Sequence, residues 1–298
     1  MIGDEPLRIL LCYFSGTGNT KHVANILAQA FQQRKCNVDL RPITLPLIKQ
    51  KISISEYDSI GIGYPVHAFN APKIVFDFIR SLPTGTKKQI FLFRTAGDPL
   101  LHAGGTTIIR SILARRGFKV FYERLFIMPA NVLYPFNPRL SKQLLRHAES
   151  QVQFMAKELC AQKIRLKSYP KWLHYLASAF STLETEGTTR LFKYYHVNDH
   201  CNLCKICLKS CPMENISIQS NQIKYGRDCA FCLRCVYNCP QEAISLKGFN
   251  FFLLKEYNLA NIIAHPPHES YLSSKTRGYF RHYATWLALR LQEIKNSH

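Results

Sequence analysis

Eight of the chain's eleven cysteines fall between residues 201 and 239, in two copies of one spacing. Cys201-x2-Cys204-x2-Cys207-x3-Cys211-Pro212 is followed by Cys229-x2-Cys232-x2-Cys235-x3-Cys239-Pro240, and a constant offset of 28 residues (201 to 229, 211 to 239) superposes them. The same offset carries Ile216-Ser217-Ile218 onto Ile244-Ser245-Leu246. A repeat that keeps apolar positions as well as cysteines describes a duplicated fold whose halves pack on each other.

In a small secreted chain such a density would read as disulfides. In 298 residues, with the cysteines crowded into one segment, it is a metal-site distribution. Structural zinc commonly takes two separated C-x2-C pairs, and a third cysteine at the same gap departs from that pattern. Three cysteines at two-residue gaps instead wrap a tight loop around three irons of a cubane cluster. The fourth stands beside a proline that has no N–H and a fixed φ, which turns the chain toward the other cluster. One [4Fe–4S] cluster is therefore expected on Cys201, Cys204, Cys207 and Cys239, and a second on Cys229, Cys232, Cys235 and Cys211. The segment resembles the bacterial two-cluster ferredoxins at all eight cysteines and both prolines.

The first half has a different beat. Strand patterns over residues 8–14, 37–43, 59–63, 89–94 and 119–127 alternate with helical patterns over 21–34, 72–82, 101–116 and 140–159. Such alternation predicts parallel strands with helices on both faces, because right-handed crossovers place them there. At the first strand-to-helix junction stands Ser15-Gly16-Thr17-Gly18-Asn19-Thr20. Small and hydroxylated residues at a helix N-terminus offer successive N–H and O–H donors to a phosphate. The loop is neither G-x-G-x-x-G nor a P-loop, which argues against a dinucleotide or ATP at this position.

With the two preceding residues, Tyr13 and Phe14, this loop resembles the phosphate loop of flavodoxins. The resemblance implies FMN on a five-stranded doubly wound parallel sheet of order 2-1-3-4-5, an α/β fold with ligands at the carboxyl ends of the strands. It also implies that two further loops flank the isoalloxazine ring: Tyr64-Pro65-Val66-His67-Ala68-Phe69, and Thr95-Ala96-Gly97-Asp98. His67 stands where a tyrosine is expected, so Phe69 or Tyr64 becomes the stacking candidate. A charged His67 near the ring would offset the anion of reduced flavin.

The expected division is a flavodoxin-like domain over 1–163, an aromatic-rich connector over 164–196, a small α+β two-cluster ferredoxin-like module over 197–247, and a basic extension over 248–298. This order resembles the flavodoxin–ferredoxin fusion proteins, found mainly in anaerobic bacteria and archaea. The resemblance implies a low-potential carrier passing single electrons between FMN, two [4Fe–4S] clusters and redox partner proteins. The alternatives are a flavin-dependent reductase of a small acceptor fed by the clusters and, more weakly, an iron–sulfur redox sensor.

The formal charge of +20 would fall by only about six units with these cofactors bound. The remaining positive field favours acidic partners. Its lysines and arginines are scattered without a dense tract, so no nucleic-acid partner is expected. The N-terminus lacks a leader pattern, and no run approaches the roughly 18 apolar residues of a membrane span, so a soluble cytoplasmic protein is expected. A terminal helix over 274–294 would carry Tyr279, Phe280, Tyr283, Trp286, Leu287 and Leu291 on one face. That face suits packing on the chain's own domain more than peripheral membrane contact. Cys12, Cys36 and Cys160 read as structural residues without partners, and His265-Pro266-Pro267-His268 as a rigid loop.

Overall fold

The computed structural model describes residues 6–67, 70–85, 87–100, 103–170, 192–266 and 270–296. Its organising strand is β1 (Arg8–Tyr13), buried along both faces after its first residue. Successive side chains alternate between faces. Leu11 and Tyr13 therefore join the cluster of Val23, Leu27, Phe31, Phe91 and Phe93, while Leu10 and Cys12 join that of Ile60, Ile62, Tyr64, Phe78 and Leu92.

The first half then runs α1 (Asn19–Gln32), β2 (Asn37–Pro42), α2 (Leu45–Gln50), β3 (Ser59–Pro65), α3 (Lys73–Ser81), β4 (Gln89–Ala96), α4 (Ala103–Arg115), β5 (Lys119–Ile127) and α5 (Pro138–Cys160). The five strands are all parallel, in the order β2-β1-β3-β4-β5. This is the flavodoxin-like doubly wound sheet expected above. Gly63 of β3 leaves room for the Phe93 ring, with which any Cβ there would collide. Only α2 was absent from the sequence pattern. Six residues are too few to display a helical period, and its start is held by the Thr44 hydroxyl, which accepts from the Leu47 amide.

The second half is small and antiparallel. β6 (Tyr195–Val197) pairs with β9 (Ile244–Leu246), and β7 (Ile216–Gln219) pairs with β8 (Gln222–Tyr225). Most of the aromatic-rich connector, residues 171–191, lies outside the described residues, as do Pro267 and His268.

The terminal helix starts at Arg281, later than its apolar pattern suggests, and ends at Lys295. It packs along α5 and β5, burying Tyr283 and Leu287 against Leu125, Ile127, Leu140 and Leu144. Tyr279 and Leu291 stay exposed, so the helix covers less of its apolar face than the pattern implied. Among the described residues no helix is long and apolar enough to cross a membrane. One reading is overturned outright: Cys36 and Cys160 are partners, their sulfurs 3.6 Å apart.

A charged network anchors this helix. Glu293 pairs with Arg124, which is 3% exposed, and with Arg165 and Arg290. Arg165 also grips Glu158, which accepts a 2.8 Å hydrogen bond from the Tyr122 hydroxyl. The Phe154 ring lies within 4.7 Å and 5.3 Å of the Arg124 and Arg165 guanidiniums. Burial pushes the Glu158 carboxyl up, but hydrogen bonds from Arg165 and Tyr122 and the nearby guanidiniums pull it further down, below its ordinary value. A carboxyl depressed in the folded state contributes stability that is complete above its unfolded pKa of about 4.3 and is lost as pH falls through the folded value. Glu158→Gln is therefore expected to lower the urea midpoint at neutral pH and to flatten its decline below about pH 4. An unchanged acid decline would count against the network's role.

Candidate functional site

The cysteine loops owe their shape to a repeated backbone feature. Leu203 and Lys205 take φ of 57° and 64°, and their repeat partners Phe231 and Leu233 take 45° and 59°. Glu214 and Glu242, also 28 apart, do the same at 51° and 46°. Left-handed residues with side chains cost about 1 kcal/mol or more each. Six of them at symmetry-related positions mean that the loops are shaped around something, because such turns point successive amides inward. Three amides already reach sulfur at 3.3 Å: Asn215 to Cys211, its repeat partner Ala243 to Cys239, and Phe231 to Cys229.

Cys211, from the first copy, lines one cavity with Cys229, Cys232 and Cys235 from the second. Cys201 and Cys239 pack around the buried Cys207 and Cys235, whereas Cys204 is exposed. Among the described residues no three metal-binding side chains converge on a single-ion point. Two stacked tyrosines, Tyr195 and Tyr225, 4.5 Å apart, border the second set, and the Cys229 thiol lies 3.9 Å from the Tyr195 hydroxyl. The buried Tyr225 hydroxyl lies near Cys235. Burial pushes the Cys229 thiol up to about 12. A metal displaces that proton on binding.

The loop Ser15–Thr20 forms the second site. Gly18 takes φ 107° and its amide donates to the Ser15 hydroxyl at 3.2 Å. Asn131 donates to the Thr17 hydroxyl at 2.8 Å, and the Thr20 and Thr95 hydroxyls bond to each other at 2.8 Å. Among the described residues the amides of Gly16, Thr17, Asn19 and Thr20 have no protein acceptor. Four open amides at the start of α1 suit a phosphate.

The two sites share a wall. Gly16 lies so close to the Cys232 carbonyl that a Cβ would collide with it. Arg234, the residue before Cys235, spreads its guanidinium across the junction. It donates to Ser210 O at 2.8 Å, to Gly16 O at 3.3 Å and to Ser15 O. The Leu45 amide donates to Pro212 O at 2.8 Å, and the Tyr237 hydroxyl to Asn131 O at 2.6 Å. On the far side the Tyr257 hydroxyl donates to the Asn19 side chain at 2.6 Å, and Leu259 covers Gly18. None of Arg234, Asn131, Tyr237, Tyr257 or Leu259 was singled out from the sequence, where nothing marks them.

The ring loops require corrections. Tyr64 is fully buried among the core residues of β3 and cannot stack on a flavin. Ala68 and Phe69 lie outside the described residues. Pro65, Val66, His67, Ala96 and Gly97 are half-buried, and the Val66 amide ties the two loops by donating to Thr95 O at 2.8 Å. Burial lowers His67 to about 4. Asp98 is taken by the terminal region. Its carboxylate accepts from Tyr279, His282 and Tyr283 at 3.2, 3.1 and 3.3 Å. The side chain of Thr95 is likewise turned inward, onto Thr20.

Residues 10–97 match the family model of a flavodoxin domain, and residues 193–244 that of a 4Fe–4S dicluster domain. The chain contains a flavodoxin domain toward its N-terminus and a 4Fe–4S dicluster domain toward its C-terminus. An uncharacterized protein of Methanocaldococcus jannaschii is 29% identical over 108 residues, which are 35% of this chain and 64% of that protein. Among solved structures, a flavodoxin from the domain Archaea is 15% identical, covering 52% of this chain and 99% of its own, with a TM-score of 0.35. Flavodoxin 2 of Bacillus cereus is 16% identical over 52% of this chain and 99% of its own, with a TM-score of 0.39.

The two domains imply FMN and two [4Fe–4S] clusters, and with them a redox, electron-transfer role. The open amides beside Thr17 fit the phosphate of FMN, and the sulfur-lined cavity with its inward amides fits a cubane cluster. Gly16→Val is expected to push the dicluster module off the loop and weaken FMN binding by about tenfold or more, roughly 1.4 kcal/mol. Flavin titration of the apoprotein checks this, and wild-type affinity would mean that the wall does not shape the loop.

Proposed function

We propose that this chain is a low-potential carrier that exchanges single electrons with redox partner proteins. The observation that carries the reading is the shared wall, where Arg234 and Cys232 of the second cysteine motif lie against Ser15 and Gly16 of the phosphate loop. Two redox sites built on one wall suit electrons moving within one chain. When bound, the clusters supply one-electron chemistry and FMN holds one or two electrons. Cys201, Cys204, Cys207 and Cys239 hold one cluster, and Cys229, Cys232, Cys235 and Cys211 the other. The amides directed at Cys211, Cys239 and Cys229 favour the more negative reduced state, a lever on potential that sulfur hydrogen bonds provide.

The exposure of Cys204 supports electron exchange with a partner through the first motif. The net charge of +20 favours acidic partner proteins, and a reducing cytoplasm suits eight thiolate ligands.

Oxygen-free purification is expected to yield about eight irons, eight sulfides and one FMN per chain. Cys211→Ser is expected to remove about half of the iron, from the set that shares its cavity. Transfer to an acidic one-electron protein acceptor should slow steeply with added salt. Full iron in Cys211→Ser would overturn the ligand sets, zinc in place of iron the clusters, and salt-independent transfer the acidic partner.

A further inference from the structure

The contact between Cys36 and Cys160 lies apart from every site described above. Cys36 follows α1 through a tight turn in which Lys35 takes φ 60° and the Cys36 amide returns to Phe31 O at 3.1 Å. Cys160 is the last residue of α5. The two are separated by 124 residues in sequence and by 3.6 Å between sulfurs. That is a non-bonded contact, about 1.5 Å longer than a disulfide.

Arg34 holds the junction together. Its guanidinium donates to Ala30 O at 2.7 Å on α1 and to the Gln153 side chain at 3.0 Å and carbonyl at 3.3 Å on α5. The sulfurs therefore meet across a braced helix pair. Cys36 is buried, but Cys160 is half-buried and within reach of a small reagent. Cys12, by contrast, is fully buried in β1 and faces neither. The pair also sits at the opposite end of α1 from the phosphate loop, and 14 helical residues span about 20 Å. Its chemistry is thus separable from that of the cofactor sites.

We infer that Cys36 and Cys160 form a reversible dithiol–disulfide pair, oxidised by low-molecular-weight disulfides of the glutathione class. One protein thiolate attacks the external disulfide, forming a mixed disulfide and expelling one small thiol. The second protein thiolate attacks the mixed disulfide, forming the Cys36–Cys160 bond and expelling the second small thiol. Two electrons pass from the protein to the external disulfide, and the two thiol protons end on the two released thiols. Burial and the adjacent Cys36 push the Cys160 thiol up to about 12, which leaves little thiolate at neutral pH and makes the exchange slow, faster as pH rises. The new bond would tie the turn before β2 to the end of α5, constraining the unfolded chain across a long loop.

The test uses the full chain with its clusters, without oxygen, equilibrated in glutathione buffers of increasing oxidised fraction. After alkylation and proteolysis, mass spectrometry is expected to find a Cys36–Cys160 cross-linked peptide in the wild type. It should disappear on return to reduced glutathione, with the visible cluster absorbance unchanged throughout. Cys36→Ala should give a glutathione adduct on the half-buried Cys160 and no cross-link, and Cys160→Ala should give no cross-link. The inference is overturned if the wild type carries glutathione adducts without the cross-link. Both cysteines remaining free, or cluster absorbance disappearing before any cross-link forms, would overturn it equally.

Discussion

The phosphate loop and the cysteine module meet at the close approach of Gly16 to the Cys232 carbonyl. A backbone contact of that kind admits no side chain, and the Arg234 guanidinium locks it by satisfying carbonyls on both sides. A guanidinium with several donors in fixed geometry is suited to such a junction, since one side chain can hold Ser15, Gly16 and Ser210 at once. The phosphate loop is consequently a shared structure, built by one domain and walled by the other.

The extension after the cysteine module completes this arrangement. Tyr257 and Leu259 close over the start of α1, while Tyr279, His282 and Tyr283 occupy Asp98 in the loop after β4. The terminal helix is held from its other end by Glu293 among three arginines. A buried cation such as Arg124 is tolerable only with a carboxylate partner, so the last turn of the chain serves the interior of the first domain. The loop after β4 is thus positioned by residues some 180 positions later in sequence, Asp98 being bonded by Tyr283 at a separation of 185.

Several readings were legible because they depend on local rules. Parallel strands with helices on both faces follow from alternating apolar runs and helical stripes, and the order implied by the flavodoxin resemblance is the one the structure shows, β2-β1-β3-β4-β5. The directions of the Tyr64 and Asp98 side chains were not legible, for a shared reason. Proximity to a strand's carboxyl end places a residue near the site, but which way its side chain turns depends on the pleat and on what packs there. Tyr64 follows the alternation of Ile60 and Ile62 into the core. Asp98 turns to a helix that no local pattern connects with it. Cys36 and Cys160 escaped for a simpler cause, since a distance of 124 residues leaves no mark in sequence.

The sequence by itself determined the two modules, their order and the chemistry each can perform, because cysteine spacing, glycine and hydroxyl placement, and apolar periodicity act over a few residues. Tertiary structure alone decided that the modules meet at the phosphate loop, and that Arg234 and Tyr257 brace it. Those outcomes depend on which surfaces are desolvated together. Desolvation is a property of the packed chain, and no short stretch of residues carries it.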